Sequence, residues 1–319
     1  MKPIKNNFKY ITMNKKTFLF ASALAMSLTL ASCSDSSDVV QEKERKTVQQ
    51  YESVDELTKR LKEYDSKFAL RKTPLLSSKD KKGRLTWVQW LKMGIADVKG
   101  GLSGTATIGG CVGAIVGAAI ASIEKYVEIL DANRKEKDKK ELVISTTILS
   151  NSSVHTFNDS IGYYHNMSEE FLYDVYKNNL KDVKPDRLIF MADRYMCHNS
   201  AGYKEQVNAT AQQKEELSNK LYNLNAVKIS DAEDFFAYLN KVKLLDKSDS
   251  EYLDFASEYL YTCVCSNVGD VRDYTLDVLQ QIDGSNASDN DKDKLSQCII
   301  IAYSSLVYSA QMEYIDINQ

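Results

Sequence analysis

Proline is nearly absent. Pro3, Pro74 and Pro185 are the only three in 319 residues, so little forces a helix to stop. Stretches that alternate apolar and polar residues are also scarce, which argues against a sandwich or a barrel. Histidine is equally thin, with only His155, His165 and His198. None of them sits in a His-Glu-x-x-His pattern. No Gly-rich loop ends in Lys-Ser/Thr to cradle a phosphate, and there is no nucleophile elbow. These absences leave no catalytic signature, so the expectation is no enzyme activity, no catalytic residue and no cofactor. Cysteine excludes more than it offers. After Cys33 come Cys111, Cys197, Cys263, Cys265 and Cys298, an odd number with no zinc-ligand spacing. They read as small apolar core residues, and no metal site is expected. Finally, the first 32 residues hold five Lys and no acid.

That basic start leads into an apolar run, Phe18 to Leu30, too short for an ordinary membrane span. Asn14-Lys15-Lys16 with this run forms a complete signal peptide, so Met13 is an alternative start. The run ends in Leu30-Ala31-Ser32-Cys33, which resembles the lipobox of bacterial lipoproteins. The resemblance implies lipidation at Cys33, which becomes the mature N-terminus, and anchoring in a membrane through that lipid. The following Ser34-Asp35-Ser36-Ser37-Asp38 resembles the Ser/Asp-rich signal that sends some lipoproteins to the cell surface. The expected location is therefore the outer membrane or the cell surface. Loss of residues 1–32 leaves 36 basic against 44 acidic residues, a net charge of −8. With that sign and that export signal, no nucleic-acid partner is expected.

What the chain does have is Leu, Ala, Lys and Glu in helical spacing. The fold expected is all-α, a bundle of amphipathic helices with a Gly-rich apolar helix or helical hairpin near its N-terminus. Five segments follow: signal peptide 1–32, tether and short helix 33–85, Trp-containing helix plus Gly-rich segment 86–131, charged linker 132–153, and C-terminal helical domain 154–319. Ser53 with Glu56 and Thr86 with Gln89 read as capping boxes, as do Ser230 with Glu233 and Ser248 with Glu251. Helices are predicted over 168–182, 186–198, 205–225, 231–245, 249–266, 268–282 and 289–312. Their many Tyr read as core rings with wet hydroxyls. Asp289 to Asp293 begins like a calcium loop, but Lys294 and Ile300 stand where Gly and Glu are needed, so it reads as a capped helix start.

The oddest stretch is Gly100 to Ile123, 24 residues without a charge. Small residues recur every fourth place at Gly101, Thr105, Gly109, Gly113, Gly117 and Ala121. Gly100-Gly101 is expected to break or kink the helix that Trp87 opens. As one helix the stretch would reach about 36 Å, at about 1.5 Å per residue, against a hydrocarbon core of about 30 Å. The segment is similar to the Gly-zipper segments of some pore-forming bacteriocins, which implies a membrane-active effector. The other reading is a close-packing face inside the protein, or one that recruits a protein partner or a second copy. Each Gly weakens a helix by about 1 kcal/mol relative to Ala, which makes a lone span marginal.

One local motif remains, Phe157 to Asn166. Together with the Gly-rich segment, it resembles a stretch of exported bacterial proteins of unknown function over residues 86 to 175. Gly162 is read as a turn, with Asn166 capping a helix that has Glu169 three residues on. Asn158, Gly162, His165 and Asn166 form the candidate binding corner. Cys197-His198 is adjacent in sequence, which does not bring the two side chains together.

Overall fold

The computed structural model describes residues 51–72, 74, 86–134, 142–144, 161–176, 182–199, 209–229, 234–311 and 314–316. Cys33, His155, Asn158 and the box at 230–233 lie outside these. The described chain is all-α. Its helices are α1 (Val54–Asp65), α2 (Trp87–Thr107), α3 (Gly110–Arg134), α4 (Ile161–Tyr176), α5 (Pro185–Asn199), α6 (Ala211–Ala226), α7 (Phe235–Lys243), α8 (Ser250–Cys265), α9 (Val271–Asp283) and α10 (Asp289–Gln311). A short antiparallel ribbon pairs β1 (Leu142–Ile144) with β2 (Tyr314–Asp316), Val143 opposite Ile315.

Local chemistry sets most helix starts. Ser53 Oγ accepts from the Glu56 amide while Glu56 accepts from the Ser53 amide, and Thr86 with Gln89 repeats the arrangement. Thr210 with Gln213 is a third capping box, at α6. At α10 Ser288 Oγ accepts from the Asp291 amide, the capped start expected there. The box expected at Ser248 is different. Ser248 bonds back to Asp246, residues Lys247–Asp249 form a single 3₁₀ turn, and α8 starts from Asp249 without a side-chain cap.

α2 and α3 form a hairpin on which α4, α5, α6, α7, α8 and α10 pack, while α1 lies on α8 and α9 on α10. α3 rests on α4, α5 and α6, and α2 on α6, α7, α8 and α10. The chain turns at Gly109 and Gly110, both in the left-handed region (φ 98° and 55°). The break expected at Gly100-Gly101 does not occur; α2 runs through both. Two Gly-Gly pairs compete for the turn, and packing decides between them. Gly100 and Gly104 of α2 press against Gly117 and Gly113 of α3, so that a Cβ on any of the four would come within 3.0 Å of the facing backbone.

The expected single stripe is therefore split. Gly113 and Gly117 pack against α2, and Ala121 closes on Gly100. Gly101 faces Ile301 of α10, Thr105 donates to the Gly101 carbonyl, and Gly109 is the turn itself. The core around the hairpin includes Leu91, Met93, Ile95, Val112, Ile115 and Ile120, all at 0% exposure. Each such side chain contributes roughly 1.5–3 kcal/mol by leaving water.

Candidate functional site: a buried Asp–His–Glu cluster

Three helices bring ionisable groups into the apolar core. Asp97 lies on α2, one turn before Gly100-Gly101. His165 and Glu169 are four apart on α4, so they share one face. Ser122 comes from α3 and Ser305 from α10. The close Gly100–Gly117 crossing draws α2 and α3 together, and Ser122 Oγ reaches Asp97 Oδ2 at 3.1 Å. Gly162 does the same between α4 and α10, since a Cβ there would meet the Ser304 hydroxyl.

The three groups are inaccessible to water, with Asp97 and His165 at 0% and Glu169 at 1% exposure. His165 Nε2 stands 3.7 Å from Glu169 Oε1 and 4.0 Å from Asp97 Oδ2. The ligand atoms of all three residues lie within 4.8 Å of one another. The two separations from His165 Nε2 are too long for hydrogen bonds.

The surroundings fix how each group points. His165 Nδ1 meets Asn166 Oδ1 at 2.9 Å, and the Asn166 amide nitrogen donates to the Ser304 carbonyl at 3.3 Å. With its amide so oriented, Asn166 accepts, Nδ1 carries the proton, and the Nε2 lone pair faces the two carboxylates. Asp97 Oδ2 accepts from both Ser122 and Ser305. Asp97 Oδ1 and His165 Nε2 have no hydrogen-bond partner among the described residues, and the Glu169 oxygens have near them only the Ser122 hydroxyl, which donates to Asp97.

Burial sets the protonation. It pushes Asp97 well above the ordinary carboxylate range, and the serine hydroxyls offset this only in part. It pushes Glu169 up as well, and the Asp97 charge adds to the effect. Burial takes His165 down to about 4, with the Asn166 oxygen and the Ala118 carbonyl pulling the other way. An ionised carboxylate in such a place costs several kcal/mol unless a cation answers it. The cluster therefore either holds protons or holds a cation.

Two other buried charges are answered by ion pairs. Lys99 pairs with Asp249 at 2.8 Å. Lys125 pairs with Glu128 at 3.0 Å and donates to the Val227 carbonyl at 2.6 Å. Tyrosine hydroxyls expected to be wet are bonded within the protein instead: Tyr259 to Thr275, Tyr274 to Asp65 and Tyr252 to Asp291. The five described cysteines are free thiols. Burial pushes the Cys197 thiol up, the reverse of an activated nucleophile, and His198 is exposed. A surface groove between α5 and α6 exposes Phe190 and Tyr222, with Arg187 and Lys214 over the Phe190 ring.

Of the expected binding corner, His165 and Asn166 do come together. Gly162 is inside α4, where it permits a helix contact rather than a turn, and Asn166 is buried mid-helix and caps nothing. Asp97 escaped the sequence reading, and Glu169 entered it only as a helix-start residue beside Asn166. The spacing His165-x-x-x-Glu169 and a lone acid amid the apolar face of α2 were the available signals. No family model, curated protein or solved structure matches the chain.

Proposed function

We propose that this is a lipid-anchored protein of the bacterial envelope that binds a ligand without turning it over. The anchor is Cys33, read from Leu30-Ala31-Ser32-Cys33. One observation carries the binding role. Three converging ionisable side chains, at most 1% exposed, aim unpaired atoms at one point in the core. With ligand atoms within 4.8 Å of one another and closed to water, the three side chains can surround a single ion.

The second reading, a membrane-active effector, has less support. The Gly face is covered by its own chain. The turn at Gly109 divides the uncharged stretch into arms of unequal length. Gly100–Thr107 reaches about 12 Å against about 30 Å of hydrocarbon, at about 1.5 Å per residue. Gly110–Ile129 is long and apolar enough to cross a membrane, but 78% of it is buried inside the protein, as in the core helix of a folded bundle. A deeper hairpin would carry Asp97, Lys99 and Lys92 into lipid, which is costly.

The test has two arms. Cys33→Ser in the full chain should move the protein from the membrane fraction to the soluble fraction; retention in the membrane overturns the anchor. Native mass spectrometry of the untagged chain from residue 34 onward, purified without chelator, should show one small adduct per chain. The adduct should be absent from Asp97→Asn/Glu169→Gln. An adduct-free wild type overturns the binding role.

A further inference from the structure

We propose that the ligand held by Asp97, His165 and Glu169 is a single divalent transition-metal ion of the zinc class. This deepens the reading above and rests on it.

The donor set comes first. One imidazole and two carboxylates supply one nitrogen and at least two oxygens. Two carboxylates with a neutral imidazole balance a 2+ ion, so the filled site is electrically neutral in the core. Calcium takes six to eight oxygens, and magnesium keeps several waters. A site of three side chains, one of them an imidazole, closed to solvent, supplies too few oxygens for either. Imidazole with carboxylate in a small, low-coordinate site suits zinc, and cobalt as its spectroscopic stand-in. Donors at about 2.0–2.1 Å from a tetrahedral zinc are about 3.3 Å apart. The 3.7 Å between His165 Nε2 and Glu169 Oε1 needs to close by only a few tenths of an ångström, and Asp97, whose Oδ2 is 4.0 Å from Nε2, has to bring Oδ1 in beside them.

The surrounding groups match what a metal needs. A ligating His donates its other ring nitrogen to a fixed acceptor, which sets tautomer and orientation. Here Asn166 Oδ1 takes that bond at 2.9 Å, and the Ser304 carbonyl holds the Asn166 amide. Ser122 and Ser305 both donate to Asp97 Oδ2, which leaves Oδ1 free for the ion. Asn166 is thus a positioning residue, and the serines orient Asp97. The direct alternative is a set of acids and a histidine that bond one another, but His165 Nε2 is beyond hydrogen-bond distance of both acids and has no hydrogen-bond partner among the described residues.

The experiment uses the untagged chain from residue 34 onward, stripped with chelator and titrated with Co²⁺, Zn²⁺, Ca²⁺ and Mg²⁺. We expect one Co²⁺ per chain with visible absorption of a low-coordinate site, displaced by one Zn²⁺, and no competition from millimolar Ca²⁺ or Mg²⁺. Glu169→Gln and His165→Gln should weaken Co²⁺ binding at least 100-fold, and Asn166→Ala 10- to 100-fold. X-ray absorption on the wild type keeps the test sharp if a variant misfolds. One imidazole and oxygen donors are expected, and sulfur donors or no imidazole overturn the assignment. An adduct in the native spectrum with no Co²⁺ band refutes the metal and spares the binding role; the absence of both refutes both.

Discussion

At the scale of single residues, the core spends its polar groups in two ways. Most are answered in place. Asp65, at the end of α1, accepts from Thr262 and Tyr274 and so ties α1 to α8 and α9. Burial lifts it to about 6 from its usual 3.8, against the pull of those hydroxyls. A folded-state value above the unfolded one means that Asp65 stabilises the fold fully at low pH. That contribution is lost as pH rises from about 4 through about 6. Asp65→Asn should remove this loss. In urea titrations the variant should gain on wild type by on the order of 1–2 kcal/mol between pH 4 and pH 7, allowing for partial solvent screening. A pH-independent difference would contradict the assignment. The Asp97 cluster is the second kind, with atoms left unanswered. Gly162 guards it, because a Cβ there meets Ser304, whose carbonyl orients Asn166. Gly162→Ala should therefore weaken Co²⁺ binding by about tenfold or more while the helical circular dichroism is kept.

At the scale of elements, the hairpin is the test of packing against propensity. In an exposed helix, Gly→Ala stabilises by about 1 kcal/mol. At Gly104 or Gly113 the new Cβ meets backbone of the facing helix, which cannot swing away. Gly104→Ala and Gly113→Ala should each destabilise by about 1–3 kcal/mol, a reversal of sign that thermal or urea unfolding reads directly. Stabilisation by either would mean that α2 and α3 are not in contact there.

The same element shows what a sequence can reveal. Helices α5 to α10 were legible because apolar periodicity and start signals act within a few residues; Pro185 opens α5 as expected. The turn was not legible. Gly100-Gly101 and Gly109-Gly110 are locally equivalent, and only the facing partners across the hairpin distinguish them. Asn166 with Glu169 three residues on has a capping spacing, yet α4 starts by Ile161 and buries both. Asp97 and Glu169 are 72 positions apart in the chain. Their meeting depends on α4 packing against the hairpin, which no local pattern encodes.

At the scale of the whole molecule, the bundle encloses its own Gly face, and this fits the proposed tethered binding protein better than the proposed effector. Anionic liposomes loaded with dye should not leak when the chain from residue 34 onward is added at micromolar concentration. Dye release that Gly113→Leu abolishes would instead favour the membrane-active reading. The central claim concerns the point between three helices where Asp97, His165 and Glu169 converge. Crystals of the chain grown with zinc and measured on both sides of the zinc absorption edge test it most directly. The account predicts one anomalous peak per chain, within about 2.0–2.2 Å of His165 Nε2 and of a carboxylate oxygen from each acid. An empty core, with zinc only at surface groups such as His198, would contradict it.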